Sequence, residues 1–313
     1  MTKSAALLAL VSVVVPAVAR SGSPAQAAPR ARSVAFTFDD LPATRLTTLS
    51  DAEAMTTQLL DALERHAIPA IGFVNESKLD AVSGEERARA ALLASWLDAG
   101  HELGNHTYSH LRLYGATLDA FQADVLRGER VTRALMAERG RAPRFFRHPT
   151  LNTGRDAAIR DSVERFLSAH GYAVAPVTID SDEYLYGAAY DRARGRGDSA
   201  RMRRLGADYV RYMEEMFAHF ERLSVSLVGR EIAQVVLLHA SWLNADYLPA
   251  LAAMARARGY GFVSLDRALS DEAYRLPDRY VGSRGPSWLE RWAISRGQTP
   301  ESPPAVPGWV REP

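Results

Sequence analysis

The sequence predicts an α/β fold, an incomplete barrel of parallel strands wrapped by helices, in a single catalytic domain. Three observations predict it. Short apolar runs alternate seven times with longer helical patterns, which implies parallel strands joined by right-handed crossovers. The runs are apolar throughout, so both faces must be covered. Six of the seven end in polar or ionisable residues: Asp39-Asp40, Asn75, the stretch reaching His106 and His110, Arg147, Asp180 and His239. In a barrel such ends converge on one mouth, where chemistry is done. A doubly wound open sheet is the alternative, and the polar rim favours the barrel.

The elements follow in order. Ser33 to Phe38 reads as the first strand. Ser50 with Glu53 makes a capping box for a helix to about His66. Pro69 to Val74 is the second strand. Ser83 and Glu86 repeat the box, and that helix ends at Gly100. The third strand runs from about His101 to Asn105, and Thr117 caps a helix of about two dozen residues stopping near Gly140. Arg144 to Arg147 is the fourth strand. A helix over 155–170 is ended by Gly171, a good C-terminal stop. Ala173 to Ile179 is the fifth strand, followed by a long polar and helical insertion over about 184–230. Gln234 to Leu238 is the sixth. Asn244 caps a helix to Arg258, stopped by Gly259, and Gly261 to Leu265 is the seventh. From residue 271 an extension begins with charged and aromatic residues, includes Trp288 and Trp292, and ends Pro-rich. Its part to about 297 is expected to pack on the barrel and its end to be disordered.

Composition narrows the class. The 313 residues are 47% hydrophobic and 24% charged, near the globular averages. One apolar run, Ala5 to Ala19, follows Lys3 and precedes Ala25-Gln26-Ala27. It is shorter than the ~20 residues of a membrane span and reads as a signal peptide over 1–27. The expectation is an exported protein, periplasmic or extracellular, without a stable membrane anchor. Loss of Lys3 and Arg20 leaves 36 basic residues against 37 acidic ones, a balance that argues against nucleic acid as a partner. There is no cysteine, so any metal must be held by histidines and carboxylates.

Two patterns carry chemistry. Asp39 and Asp40 follow a buried strand and point in different directions, so one can bind a metal while the other handles protons. His106 and His110 stand at i, i+4, which on one helical turn places two imidazoles on one side. Two histidines with one aspartate leave a position open, the arrangement of catalytic rather than structural zinc. Arg147 beside a carboxylate would lower its pKa. His239 ends an apolar strand.

These residues resemble the polysaccharide deacetylase family, that is, carbohydrate esterase family 4 with its nodulation-protein-type deacetylase domain. Five motifs stand in the family's order within about 33–270: Thr37-Phe38-Asp39-Asp40, His106-Thr107-Tyr108-Ser109-His110, Arg147-His148-Pro149, Asp180-Ser181-Asp182-Glu183-Tyr184 and Leu237-Leu238-His239. The resemblance implies a distorted (β/α)7 barrel over 28–270, with 271–313 as an extension. It implies that Asp39 is the general base and that Asp40, His106 and His110 hold a divalent metal, usually zinc, though another divalent transition metal would serve. Arg147 would hold Asp39, His239 would be the general acid, and the Thr150 N–H would be an oxyanion donor. Asp180 or Glu183 would raise the pKa of His239 and fix its tautomer, with Asp182 as a competitor. The implied reaction is hydrolysis of N-acetyl groups on an N-acetylglucosamine glycan, chitin oligomers or peptidoglycan, by metal-activated water.

The chain departs from the pattern at three places. His148 and Thr150 stand where a second proline and an aromatic are usual, Glu183-Tyr184 replaces Asp-Trp, and Ala240 follows His239 where Asp is usual. Tyr184, Tyr186, Trp242 and Asn75 are candidate sugar contacts. The rival readings are an acetyl-xylan-type O-deacetylase, a glycan-binding protein with a vestigial site, and a metal-dependent phosphoesterase. The arginines of the insertion suggest a solvated helix face or a lid over the groove.

Overall fold

Burial of the apolar runs organises the chain around one parallel sheet. The computed structural model describes residues 1–2, 32–45 and 48–312. The expected signal peptide, apart from its first two residues, lies outside them. All that follows lies in one compact unit, Ala31–Pro313.

In chain order the elements are β1 (Arg32–Leu41), α1 (Leu49–Arg65), β2 (Ala70–Val74), α2 (Glu86–Asp98), β3 (Glu102–Asn105), α3 (Leu118–Arg127), α4 (Arg130–Ala137), β4 (Phe145–Phe146) and α5 (Ala157–Ala169). Then come β5 (Ala173–Val174), α6 (Glu183–Gly195), α7 (Ser199–Val228), β6 (Gln234–His239), α8 (Trp242–Ala257), β7 (Tyr260–Phe262), α9 (Leu265–Leu269), α10 (Trp288–Ser295) and α11 (Gly308–Arg311). The strand order is β5-β4-β3-β2-β1-β6, with β7 also on β1. Each pairing is parallel. Past β5 the chain meets Pro176, which has no N–H to give a ladder. It then leans on β6, where Ile179 bridges Val236 and the Thr178 N–H donates to the Val235 carbonyl at 2.9 Å. The sheet is thereby curled into a distorted (β/α)7 barrel.

Several expected details are corrected, each for a local reason. Thr48, not Ser50, caps α1 by accepting from the Asp51 N–H. No side chain caps α2, and the Glu86 carboxylate instead accepts from the Gly84 N–H at 2.9 Å. The two-dozen-residue helix is broken into α3 and α4 around Gly128. A Cβ there would lie 2.4 Å from the Tyr108 nitrogen and 2.5 Å from the Thr107 carbonyl carbon, so loop backbone occupies the place of a side chain. Ser241, not Asn244, caps α8.

The insertion is packed as a wall, not as a lid or a solvated arm. α6 and α7 bury Tyr186, Tyr209, Met213, Phe217 and Phe220 in the main core. Two of its arginines act as staples: Arg194 stacks on Trp242 at 3.8 Å and Arg204 on Trp309 at 3.9 Å. The expected disorder at the C-terminus is also corrected. Val306 and Val310 are buried in that core beside Trp292 of α10, which supplies the apolar area that the Pro-rich composition conceals.

Candidate active site

The end of β1 separates the two carboxylates. Asp39 keeps strand geometry and pairs in register with His239 of β6, whereas Asp40 turns into the left-handed region at φ 71°. The two histidines arrive differently from expectation. Residues 106–110 form no helical turn; they are a loop in which Thr107 (φ 63°) and His110 (φ 60°) are left-handed. Such conformations cost of order 1–3 kcal/mol each and persist only when neighbours dictate them. Here Asn75 Nδ2 donates to the His106 carbonyl at 2.6 Å, Asn105 Oδ1 accepts from the Thr107 N–H at 2.7 Å, and Asp124 Oδ2 accepts from the Ser109 N–H at 3.0 Å.

The result is a donor set that fits a metal ion. One ligand atom each from Asp40, His106 and His110 lie within 4.8 Å of one another. Asp40 Oδ1 is buried without a hydrogen-bond partner and stands 3.9 Å from His106 Nε2 and 3.7 Å from His110 Nε2. His106 Nδ1 lies 2.8 Å from the Arg147 carbonyl. A carbonyl only accepts, so Nδ1 carries the proton and Nε2 keeps its lone pair. Burial lowers both histidines to about 4, with His106 adding to the effect on His110, so both are neutral at pH 7, the state in which an imidazole can bind a metal. Burial alone would raise Asp40; Lys78 and the surrounding histidines reverse this, down to about 2.

Asp39 sits beside this set. Its carboxylate lies 3.4 Å from Arg147 Nη1 and 3.7 Å from His106 Nε2. Arg147 is fully buried, donates to Thr37 Oγ1 at 3.0 Å and covers the Phe73 ring at 4.5 Å. Burial raises the Asp39 pKa; Arg147 and His239 oppose the rise without cancelling it. Arg147 therefore holds the carboxylate, but does not bring its pKa below the ordinary value as expected from the sequence.

On the neighbouring strand β6, His239 Nδ1 bonds Glu183 Oε2 at 2.7 Å, and the His239 backbone N–H donates to Glu183 Oε1 at 3.1 Å. Burial lowers the His239 pKa, but Glu183, with Asp40 and Asp39, lifts it to about 9. Between the two candidates for this partnership, the structure places Glu183 there and not Asp180. Asp180 is raised to about 7, chiefly by burial and then by Glu290 and Asp182. The suggested competitor Asp182 does not displace Glu183; its backbone N–H donates to the Tyr212 hydroxyl at 3.1 Å.

These groups share one cleft of about 470 Å³, lined among others by Asp39, Asp40, His106, His110, Asp180 and His239. Thr150 (φ 54°) and the half-exposed Tyr184 also line it. Three expected sugar contacts lie elsewhere. Asn75 is fully buried and holds the histidine loop, and Tyr186 is fully buried. Trp242 donates to Asp51 Oδ2 at 2.9 Å and lines a separate small depression. His148 fills the altered third motif as a buried ring stacked on Phe121, its pKa lowered to about 3 by burial and by Arg291.

Sequence reasoning missed four residues. Lys78 Nζ contacts Asp40 Oδ2 at 3.5 Å and the Asp40 carbonyl at 3.0 Å. Asn244 and Tyr209 stand behind Glu183. Arg291 of the extension donates to Thr153 Oγ1 at 2.8 Å and to the Leu151 carbonyl, which braces the Thr150 loop. Only Asn244 carried a signal, an Asn after a strand-end His, and it pointed to a helix cap.

A sequence model of the polysaccharide deacetylase family matches residues 26–175. A peptidoglycan-N-acetylglucosamine deacetylase of Bacillus cereus is 32% identical over 117 residues, which are 37% of this chain and 35% of that protein. The chain thus spans about a third of the length of that curated relative. Among solved structures, a carbohydrate esterase family 4 pseudoenzyme from Bacillus anthracis aligns with a TM-score of 0.52 at 15% identity, over 78% of this chain and 67% of that one. A peptidoglycan deacetylase of Bacillus subtilis aligns with a TM-score of 0.50 at 19% identity, over 79% and 95%. At these identities the structures share the fold.

Proposed function

The chain belongs to the polysaccharide deacetylase family, and from that premise we propose that it removes N-acetyl groups from N-acetylglucosamine units of a glycan, cleaving a carbon–nitrogen bond other than a peptide bond. The observation that carries this reading is the shared cleft. It holds a three-donor metal set, a buried carboxylate on an arginine, and a histidine lifted by a glutamate. Asp40, His106 and His110 would hold the ion, zinc first. When bound, a divalent cation there polarises a carbonyl and lowers the pKa of water.

The chain's own groups supply the rest. Asp39 accepts the proton of the attacking water, oriented by Arg147. His239 enters protonated, because Glu183 keeps it so, and gives that proton to the leaving nitrogen. An amine is a poor leaving group, and positioned proton transfer of this kind contributes typically ~10²–10⁴-fold. Thr150, on a left-handed turn at the cleft wall, is the backbone donor for the oxyanion.

Peptidoglycan is the first candidate polymer, since the relative that is 32% identical bears that substrate in its name. Chitin oligomers are the second. The N-terminal apolar segment after Lys3 suits an exported protein that meets such polymers, and no helix among the described residues is long and apolar enough to cross a membrane. The test is acetate release from peptidoglycan strands, chitin oligomers and acetylxylan in parallel. Release from either of the first two supports the reading. Release from acetylxylan alone replaces it with an O-deacetylase.

A further inference from the structure

The buried side of the His239–Glu183 pair contains a chain of hydrogen bonds with only one consistent polarity. Asn244 Nδ2 lies 2.8 Å from the His239 carbonyl and also bonds Glu183 Oε1. A carbonyl and a carboxylate both only accept, so the amide nitrogen, with its two donors, must face them. Asn244 Oδ1 then faces Tyr209, and the Tyr209 hydroxyl must donate to it, at 2.7 Å. Asn244, Tyr209 and Glu183 are each at least 99% buried, where an unmade hydrogen bond is costly. Glu183 Oε1 is thus shared between the Asn244 amide and the His239 N–H, and Oε2 is left for the imidazole Nδ1. Tyr209 belongs to α7, the long helix of the insertion.

Resting on the deacetylase reading of this site, we infer that Asn244 and Tyr209 are positioning residues for the general acid. They hold Glu183 in the one rotamer that presents Oε2 to His239. The insertion then serves catalysis from behind the barrel wall, through Tyr209, and not as a cover over the groove. The arrangement also explains how the longer Glu183 replaces the family's usual aspartate: its extra methylene is locked by partners at its far oxygen.

The test compares wild type, Asn244→Ala and Tyr209→Phe by two readouts. The first is the NMR titration of His239 in metal-free protein, which needs no activity. The second is the pH profile of kcat and KM on N-acetylglucosamine oligomers. The inference expects the His239 titration and the alkaline limb to move to lower pH in both variants. It expects kcat to fall roughly ten- to a hundredfold in Asn244→Ala, the range typical of residues that orient a functional side chain, and less in Tyr209→Phe, with KM unchanged. A lower Tm with an unmoved His239 titration and an unmoved limb would make both residues structural and overturn it. Should Asn244→Ala fail to fold, the isosteric Tyr209→Phe decides alone. If no variant nor wild type turns over substrate, the deacetylase reading fails, while the NMR shift still decides the hydrogen-bond chain.

Discussion

The half of the cleft proposed to hold the metal is assembled from two short stretches, Asp39–Asp40 and Asn105–His110, whereas the half proposed to supply the acid draws on the Asp180–Glu183 segment, β6, α7 and α8. The first half stores its geometry in the backbone. Asp40, Thr107 and His110 are left-handed non-glycine residues, held by buried amides and by a loop packed on Gly128. The second half uses relayed side-chain hydrogen bonds. The contrast teaches where sequence can drift. A backbone-coded site has little freedom to exchange residues, while a side-chain relay can trade one acid for a longer one if its neighbours adjust.

The largest expected effect lies on the metal half. His106→Ala should abolish both zinc binding and turnover; retention of one bound zinc by calorimetry would show that the set needs no His106. Next is Asp39→Asn, which should keep the metal and lose ~10²–10⁴-fold in kcat, the span of general base help. Activity equal to wild type would remove Asp39 from the reaction.

The acid half gives smaller and more selective effects. His239→Ala should slow amide substrates by ~10²-fold or more, yet spare activated aryl acetates, whose leaving groups need no proton. An equal loss on both would contradict the acid role. Glu183→Gln is the mildest. His239 must be protonated to act, and its folded pKa of about 9 keeps it so until pH rises through that value. Without the carboxylate, burial prevails and the alkaline limb should fall to or below the ordinary histidine value of ~6.5. Activity at pH 8 then drops far more than activity at pH 6; a limb that stays in place would mean another group sets it.

Most of this fold was legible, because strand–helix alternation and polar strand ends are local signals. The candidate metal set Asp40, His106 and His110 was also picked out, but partly for a reason that folding overturns: residues 106–110 form a loop with left-handed Thr107 and His110, not the helical turn that the i, i+4 spacing suggests. The sequence was misleading where one residue type has two uses. Asn244 looked like a helix cap because it precedes a helical pattern, yet Ser241 holds that place. Asn75 and Trp242 looked like sugar contacts because they are polar or aromatic at strand ends, but one braces a loop and the other pairs with Asp51. Lys78, Tyr209 and Arg291 gave no signal at all, since each acts across a separation in sequence that only folding closes. The Pro-rich end was misjudged because composition cannot show that Val306 and Val310 find the core.

The central claim is that the two halves act together in one zinc-dependent hydrolysis. Its most direct test is acetate release from N-acetylglucosamine oligomers by metal-stripped protein, before and after adding one equivalent of zinc, with bound metal measured in the same sample. The account predicts no release without metal and restored release at one zinc per chain. Zinc bound at one per chain with no acetate released would contradict it and point to a glycan-binding protein with a vestigial site.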